Sequence, residues 1–207
     1  MDSQLLIENA VRIINMFQYT IMSVFFCRML CCFLPKKEGY LMDILIFISG
    51  VFIPSMVIDP NDMFNVTLAF IWMLLLMLFC FKGSVISKLS VTAVIYPLII
   101  ALNLLISEFS LKIWLAGGKS FLLDMAVSIA DGLIHILFWY FIYRTFVSKV
   151  RQASRLYSQN TWILLGIICL ASLVSITVCT YYTPEETYKI WPCAVACMVT
   201  NIGSLYL

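Results

Sequence analysis

Phe121 to Val147 reads FLLDMAVSIADGLIHILFWYFIYRTFV, and the reading of this stretch decides what kind of molecule the chain makes. As a helix rising ~1.5 Å per residue it exceeds the ~30 Å hydrocarbon thickness of a bilayer. It carries the sequence's only histidine, His135, and two aspartates, Asp124 and Asp131. Asp131 and His135 are spaced i,i+4, so a helix puts them on one face. Asp124 precedes Asp131 by two turns, close to the same stripe. At and beyond the end of the stretch lies a basic cluster, Arg144, Lys149, Arg151 and Arg155. Apolar body, internal ionisable stripe and basic exit together describe a transmembrane helix with a polar face.

The whole chain agrees with that description. Of its 207 residues 63% are hydrophobic and 12% charged, and the mean hydropathy is +1.01. A soluble domain carries about 25% charged residues, so this composition predicts an all-α, polytopic transmembrane bundle as a single domain. No basic patch interleaved with aromatics points to nucleic acid. Of the eight cysteines, Cys27, Cys31, Cys32, Cys80, Cys169 and Cys197 sit inside apolar runs, where cysteine acts as a small apolar residue. Cys179 and Cys193 flank one loop, the only placement that suggests a bridge. The cysteine pairs at helical spacing lack nearby histidine or acidic ligands, so no metal site and no cofactor are expected in this chain. MDSQLLIEN lacks the basic start and the cleavage site of a signal peptide.

In order, the apolar runs predict about seven spans, near 13–34, 41–58, 63–81, 89–107, 121–147, 161–182 and 193–207. Gln4, Glu8, Arg12 and Asn15 form a polar stripe ahead of the first span, with Glu8 and Arg12 placed for an i,i+4 pair. Pro35 to Gly39, Asp59 to Asp62 and Thr183 to Glu186 read as turns. Pro97 and Asn103 lie inside the fourth span. Glu108 to Ser120 reads as an interfacial loop and Ser148 to Asn160 as a polar connector. Tyr188, Trp191 and Pro192 read as interface anchors.

Lysine and arginine distribution predicts orientation. Arg28, Lys36, Lys37, Lys82, Lys88, Arg144, Lys149, Arg151 and Arg155, nine of the thirteen basic residues, fall on one side. Lys112, Lys119, Lys189 and Arg12 fall on the other, with Asp59, Asp62, Glu108, Glu185 and Glu186. The expectation is an N-terminus outside, a cytoplasmic C-terminus and a basic connector touching anionic lipid.

Ionisable groups inside a membrane face the bundle interior or a wet cavity. Asp131 and His135 therefore read either as a ligand- or proton-sensitive pocket or as a hydrogen bond that fixes packing. Asp124 reads as a wetted helix start or as part of the same pocket. Asn103 and Asn201 read as interhelical glue or as ligand contacts. With one histidine there is no zinc-protease ligand set, and no cysteine has the electropositive setting that lowers a thiol pKa. An enzyme pairing His135 with a cysteine, and a transporter or channel subunit, remain as alternatives.

Three segments carry a resemblance. Lys82-Gly83-Ser84 followed by Lys88-Leu89 and a span with Tyr96 is similar to the third-to-fourth-span junction of AgrC-like peptide-pheromone sensor histidine kinases, which carry a GHKL-type ATPase domain. Phe141-Ile142-Tyr143-Arg144-Thr145-Phe146, with its basic exit, resembles the end of their fifth span. Thr200-Asn201-Ile202-Gly203-Ser204-Leu205-Tyr206 resembles the stretch where their last span meets the signalling helix. The resemblance implies a sensor module in a bacterial cytoplasmic membrane, taking part in quorum sensing through a two-component system. It implies an extracellular peptide ligand, a homodimer, and a response regulator reached only through a kinase domain beyond Leu207. The phospho-accepting histidine and ATP-binding boxes of that family have no counterpart here. His135, inside a span, is not a phospho-acceptor.

Overall fold

The computed structural model describes residues 3–55, 63–118, 120–182 and 190–204, with the side chains of 3–4, 63, 151–156 and 179–182 outside that description. The expected loop at Asp59 to Asp62, most of the one at Thr183 to Pro192, the Cys179 side of the suggested bridge and the span ends at 56–58 and 205–207 also lie outside it. Among the described residues there are seven helices: α1 (Ser3–Phe33), α2 (Tyr40–Ser55), α3 (Met63–Cys80), α4 (Val85–Ala116), α5 (Phe121–Leu156), α6 (Gln159–Tyr182) and α7 (Ile190–Ser204). Among the described residues the only β feature is an isolated bridge between Lys36 and Phe81.

Stretches within α1, α4, α5 and α6 are long and apolar enough to cross a membrane. The other three are shorter. The 16 residues of α2 rise about 24 Å, against the ~30 Å of a bilayer core.

Polar and small residues fix how the helices pair. Ser23 Oγ donates to the Phe47 carbonyl at 2.9 Å and Cys27 Sγ to that of Ile46 at 3.3 Å, which joins α1 to α2. Trp72 Nε1 donates to Ser49 Oγ at 2.9 Å between α3 and α2. The Tyr96 hydroxyl of α4 donates to the Val66 carbonyl of α3. Ser90 Oγ of α4 donates to the Trp162 carbonyl of α6 at 2.6 Å. Asn201 Nδ2 of α7 reaches Ser172 Oγ of α6 at 2.6 Å, so Asn201 acts as interhelical glue. Such bonds and close small-residue contacts hold helices together where lipid supplies no hydrophobic drive.

These pairings imply strict up-and-down alternation, with α1 parallel to α5 and α4 parallel to α6. The turns after α1 and α3 meet at one end. There Lys37 N donates to the Cys80 carbonyl, and Lys82 N to that of Pro35, both at 2.8 Å. The expected basic side is therefore one physical end of the bundle. Part of its charge is paired, Lys36 with Asp43 and Lys82 with Glu38. Lys88, expected in a loop, is instead inside α4, buried, and donates to the Leu78 carbonyl at 3.2 Å. A cation there meets the negative end of α3. Arg144 and Lys149 are exposed on α5, and Arg151 and Arg155 continue the same helix.

Two expected boundaries move. Residues 108–116 extend α4 and 148–156 extend α5. Neither segment contains a glycine or proline to stop a helix. The chain leaves the α-helical region only at Gly117 and at Gly118, whose φ of 73° suits glycine.

Candidate functional site

At the end opposite the basic turns, α4 and α5 touch only briefly, while α5 lies along α1, and α7 packs on α4 and α6. The gap between these groups is a cavity of about 480 Å³. Asn103, Asp124, Asp131 and His135 all line it. Four residues from two consecutive helices, α4 and α5, thus converge on one space.

Each wall follows from local sequence. On α5, Gly132, His135, Trp139, Ile142, Phe146 and Val150 are buried at three- and four-residue steps, the spacing of one helical face. Trp139 packs edge-on against Phe26 of α1 at 4.9 Å and closes the helix pair beneath His135. Above it the α1–α5 seam turns polar. Asn15 Nδ2 donates to Ser128 Oγ at 2.8 Å, and Gln18 Nε2 to the Ile129 carbonyl at 3.0 Å. Gly132 permits that approach, because a Cβ there would lie 2.1 Å from Gln18 Oε1.

On α4, Asn103 Nδ2 donates to the Ile99 carbonyl at 2.9 Å and across to the Pro54 carbonyl of α2 at 3.3 Å. Pro54 lies in the last turn of α2, where helix carbonyls commonly look outside the helix for donors. Asn103 is therefore both glue and cavity wall. Ser110 Oγ donates to Asp131 Oδ1 at 2.7 Å and ties the two long helices together. Asp131 and His135 share the face that their spacing predicts, yet they do not bond to each other; Asp131 is held by α4.

Two buried groups on the wall keep an open valence. His135 is 6% exposed and its Nδ1 has no partner among the described residues. Glu108 is 8% exposed. Its Oε1 accepts from Lys112 Nζ at 2.6 Å, whereas Oε2 has no partner among the described residues. Buried polar atoms normally find partners, and an orphan is costly. Asp124 is exposed at the rim.

Sequence reasoning placed Glu108 in a loop and overlooked Gln18, Ser110 and Ser128. The available signal was spacing: Ser107 and Ser110 fall four and seven residues past Asn103, on the same helical face. The expected Glu8–Arg12 pair forms at 2.5 Å on the exposed start of α1. Among the described residues no His, Cys, Asp and Glu side chains are grouped as a metal ion needs.

What the fold and site define is an all-helical bundle of membrane character with a polar cavity at one end. No family model, curated protein or solved structure matches the chain.

Proposed function

We propose that the chain is the sensor module of a membrane receptor, of the histidine-kinase type that the sequence resemblance implies, and that its signal enters the cavity from outside the cell. The observation that carries this is the convergence of Asn103, Asp124, Asp131 and His135 on one open space. Orientation rests on the positive-inside rule. With the basic turns in the cytoplasm, the cavity end faces outward and a peptide or part of one reaches it.

Transmission follows from the packing. The cavity separates α5 from α4, and Ile190 at the start of α7 also lines it. A ligand that contacts these helices differently in two arrangements shifts their balance by the difference in affinity. A homodimer and a response regulator downstream rest on the resemblance alone.

The alternatives find less support. A cysteine is missing from the described lining residues, so a His135–cysteine enzyme has no pair here. A transporter needs a path to the other end, where Trp139 and Phe26 are fully buried.

The test is titration of a secreted-peptide fraction against the chain in lipid nanodiscs. The reading predicts saturable binding that His135→Ala weakens without loss of helicity. A well-folded chain that binds nothing from producing cultures contradicts it.

A further inference from the structure

Three acidic side chains, Glu108, Asp124 and Asp131, line the cavity, and no lysine or arginine is among its described lining residues. Lys112 reaches only one oxygen of Glu108 and is itself largely exposed. We infer that the group bound in this cavity is a positively charged nitrogen, an ammonium carried on an apolar or aromatic body. The inference rests on the proposed ligand-binding role and names the chemistry of the ligand.

Acidic residues alone would not suffice. The second observation is that Glu108 and His135, both lining residues, each carry a buried atom without a partner among the described residues, Oε2 and Nδ1. Glu108 Oε2 is a pure acceptor when ionised and has no donor. An ammonium supplies three donors and the opposite charge, and charge-assisted hydrogen bonds are the strong ones. An anion would meet three carboxylates, of which only Glu108 has a lysine beside it.

The rest of the wall suits the body of such a ligand. Trp114 and Tyr19 contribute aromatic surface, which attracts cations over its face. Leu104, Leu111 and Val127 add apolar surface. The volume of about 480 Å³ falls in the range of ~300–1,000 Å³ typical of small-ligand pockets. The carboxylates come from both α4 and α5, and among the described residues no group of them converges as a metal ion requires. The source of the ammonium is either a small amine or the terminus of a peptide.

The experiment uses the full chain in zwitterionic nanodiscs at neutral pH, with affinities read by calorimetry. Phenethylamine is compared with its neutral analogue, phenethyl alcohol, and with the anion hydrocinnamate. A short apolar peptide with a free N-terminus is compared with its acetylated form. The expected result is saturable binding of an amine, with the matching neutral compound about tenfold weaker or worse.

Glu108→Gln and Asp131→Asn should each weaken the amine about tenfold and leave the alcohol unchanged, whereas misfolding would weaken both. Should Glu108→Gln fail to fold, Asp124→Asn at the exposed rim gives the same discrimination at about threefold. Binding of phenethylamine assigns the ammonium to small amines; binding of the free-N-terminus peptide alone assigns it to peptides. Equal binding of amine and alcohol, a preference for hydrocinnamate, or variants that do not discriminate would overturn the inference. Spin labels on α5 and α7 separate the two readings. Amine binding without helix movement sinks the sensor reading and keeps the ligand class. Movement driven by hydrocinnamate alone does the reverse.

Discussion

Helices α4 and α5 are similar as strings of residues and opposite as parts of a structure. Both contain an apolar window of spanning length, yet 89% of the window in α4 is buried and only 11% of that in α5. In α4 every face meets protein, through α3, α6 and α7 with smaller contacts to α2 and α5. In α5 one narrow stripe meets α1, a short stretch around Asp131 meets α4 and the cavity, and most of the remaining surface is exposed. Apolarity tells a helix that it may leave water; it does not say whether lipid or protein replaces the water. The polar residues carry that information. They lie along the α5 stripe and at the far end of α4, and the cavity forms where the two meet. A hub helix packed on every side thus stands beside a helix packed mainly on one.

The comparison breaks most visibly if the α5 stripe is not what holds α5. Trp139 is fully buried against Phe26 and Phe138. Trp139→Ala should destabilise the bundle by about 3–5 kcal/mol. Phe141→Ala, two residues away on the lipid side and 59% exposed, should change stability by less than about 0.5 kcal/mol. Unfolding in mixed detergent micelles reads both, and equal losses would mean that α5 is buried on more than one face.

The next effect sharpens the seam between α1 and α5. Gly132→Ala forces a methyl against Gln18, at an expected cost of about 1–3 kcal/mol. Gln18→Ala removes the atoms in the way, which leaves only Gln18 Cβ at 3.3 Å. A double-mutant cycle should therefore show the pair recovering stability relative to Gly132→Ala alone. Simple additivity would place Gln18 elsewhere.

On the hub side, Asn201→Ala removes the bond to Ser172 and should cost about 0.6–1.7 kcal/mol. The same unfolding assay should detect a loss smaller than that of Trp139→Ala.

The smallest effect belongs to the exposed basic end. Asp43, hydrogen-bonded to Lys36, holds the lysine's pKa above its ordinary value. A raised pKa makes the pair's contribution present through neutral pH and lost only as pH climbs past the lysine range. The pair is solvent-exposed and screened, so Lys36→Gln should leave the melting temperature unchanged at neutral pH and moderate salt. A clear drop would show that the meeting of the two turns depends on that charge.

Much of this was legible from residue spacing. The seven helices follow from apolar runs and from the turn at Pro35, although the end of α4 at Gly117 was read nine residues too early. The Asp131–His135 face and the polar stripe ahead of the first span are direct consequences of helical geometry. The parallel pairing of α1 with α5 was not legible, because more than a hundred residues separate Asn15 from Ser128 and no local pattern links them. Glu108 and Lys88 were misplaced for one reason: a charge near a span end was read as a loop residue, whereas each lies inside a helix and is held there by a hydrogen bond. Ser110 looked neutral until Asp131 was found opposite it.

The central claim is that the polar cavity opens to the outside of the cell while the basic end stays within it. In a chain whose eight native cysteines are replaced, Ser110→Cys in the cavity wall and Ser148→Cys on the exposed α5 surface near the basic end are treated with a membrane-impermeant maleimide on intact cells. The account predicts labelling of Ser110→Cys on intact cells and of Ser148→Cys only after permeabilisation. The opposite pattern, or a Ser110→Cys thiol unreactive in both states, would contradict it.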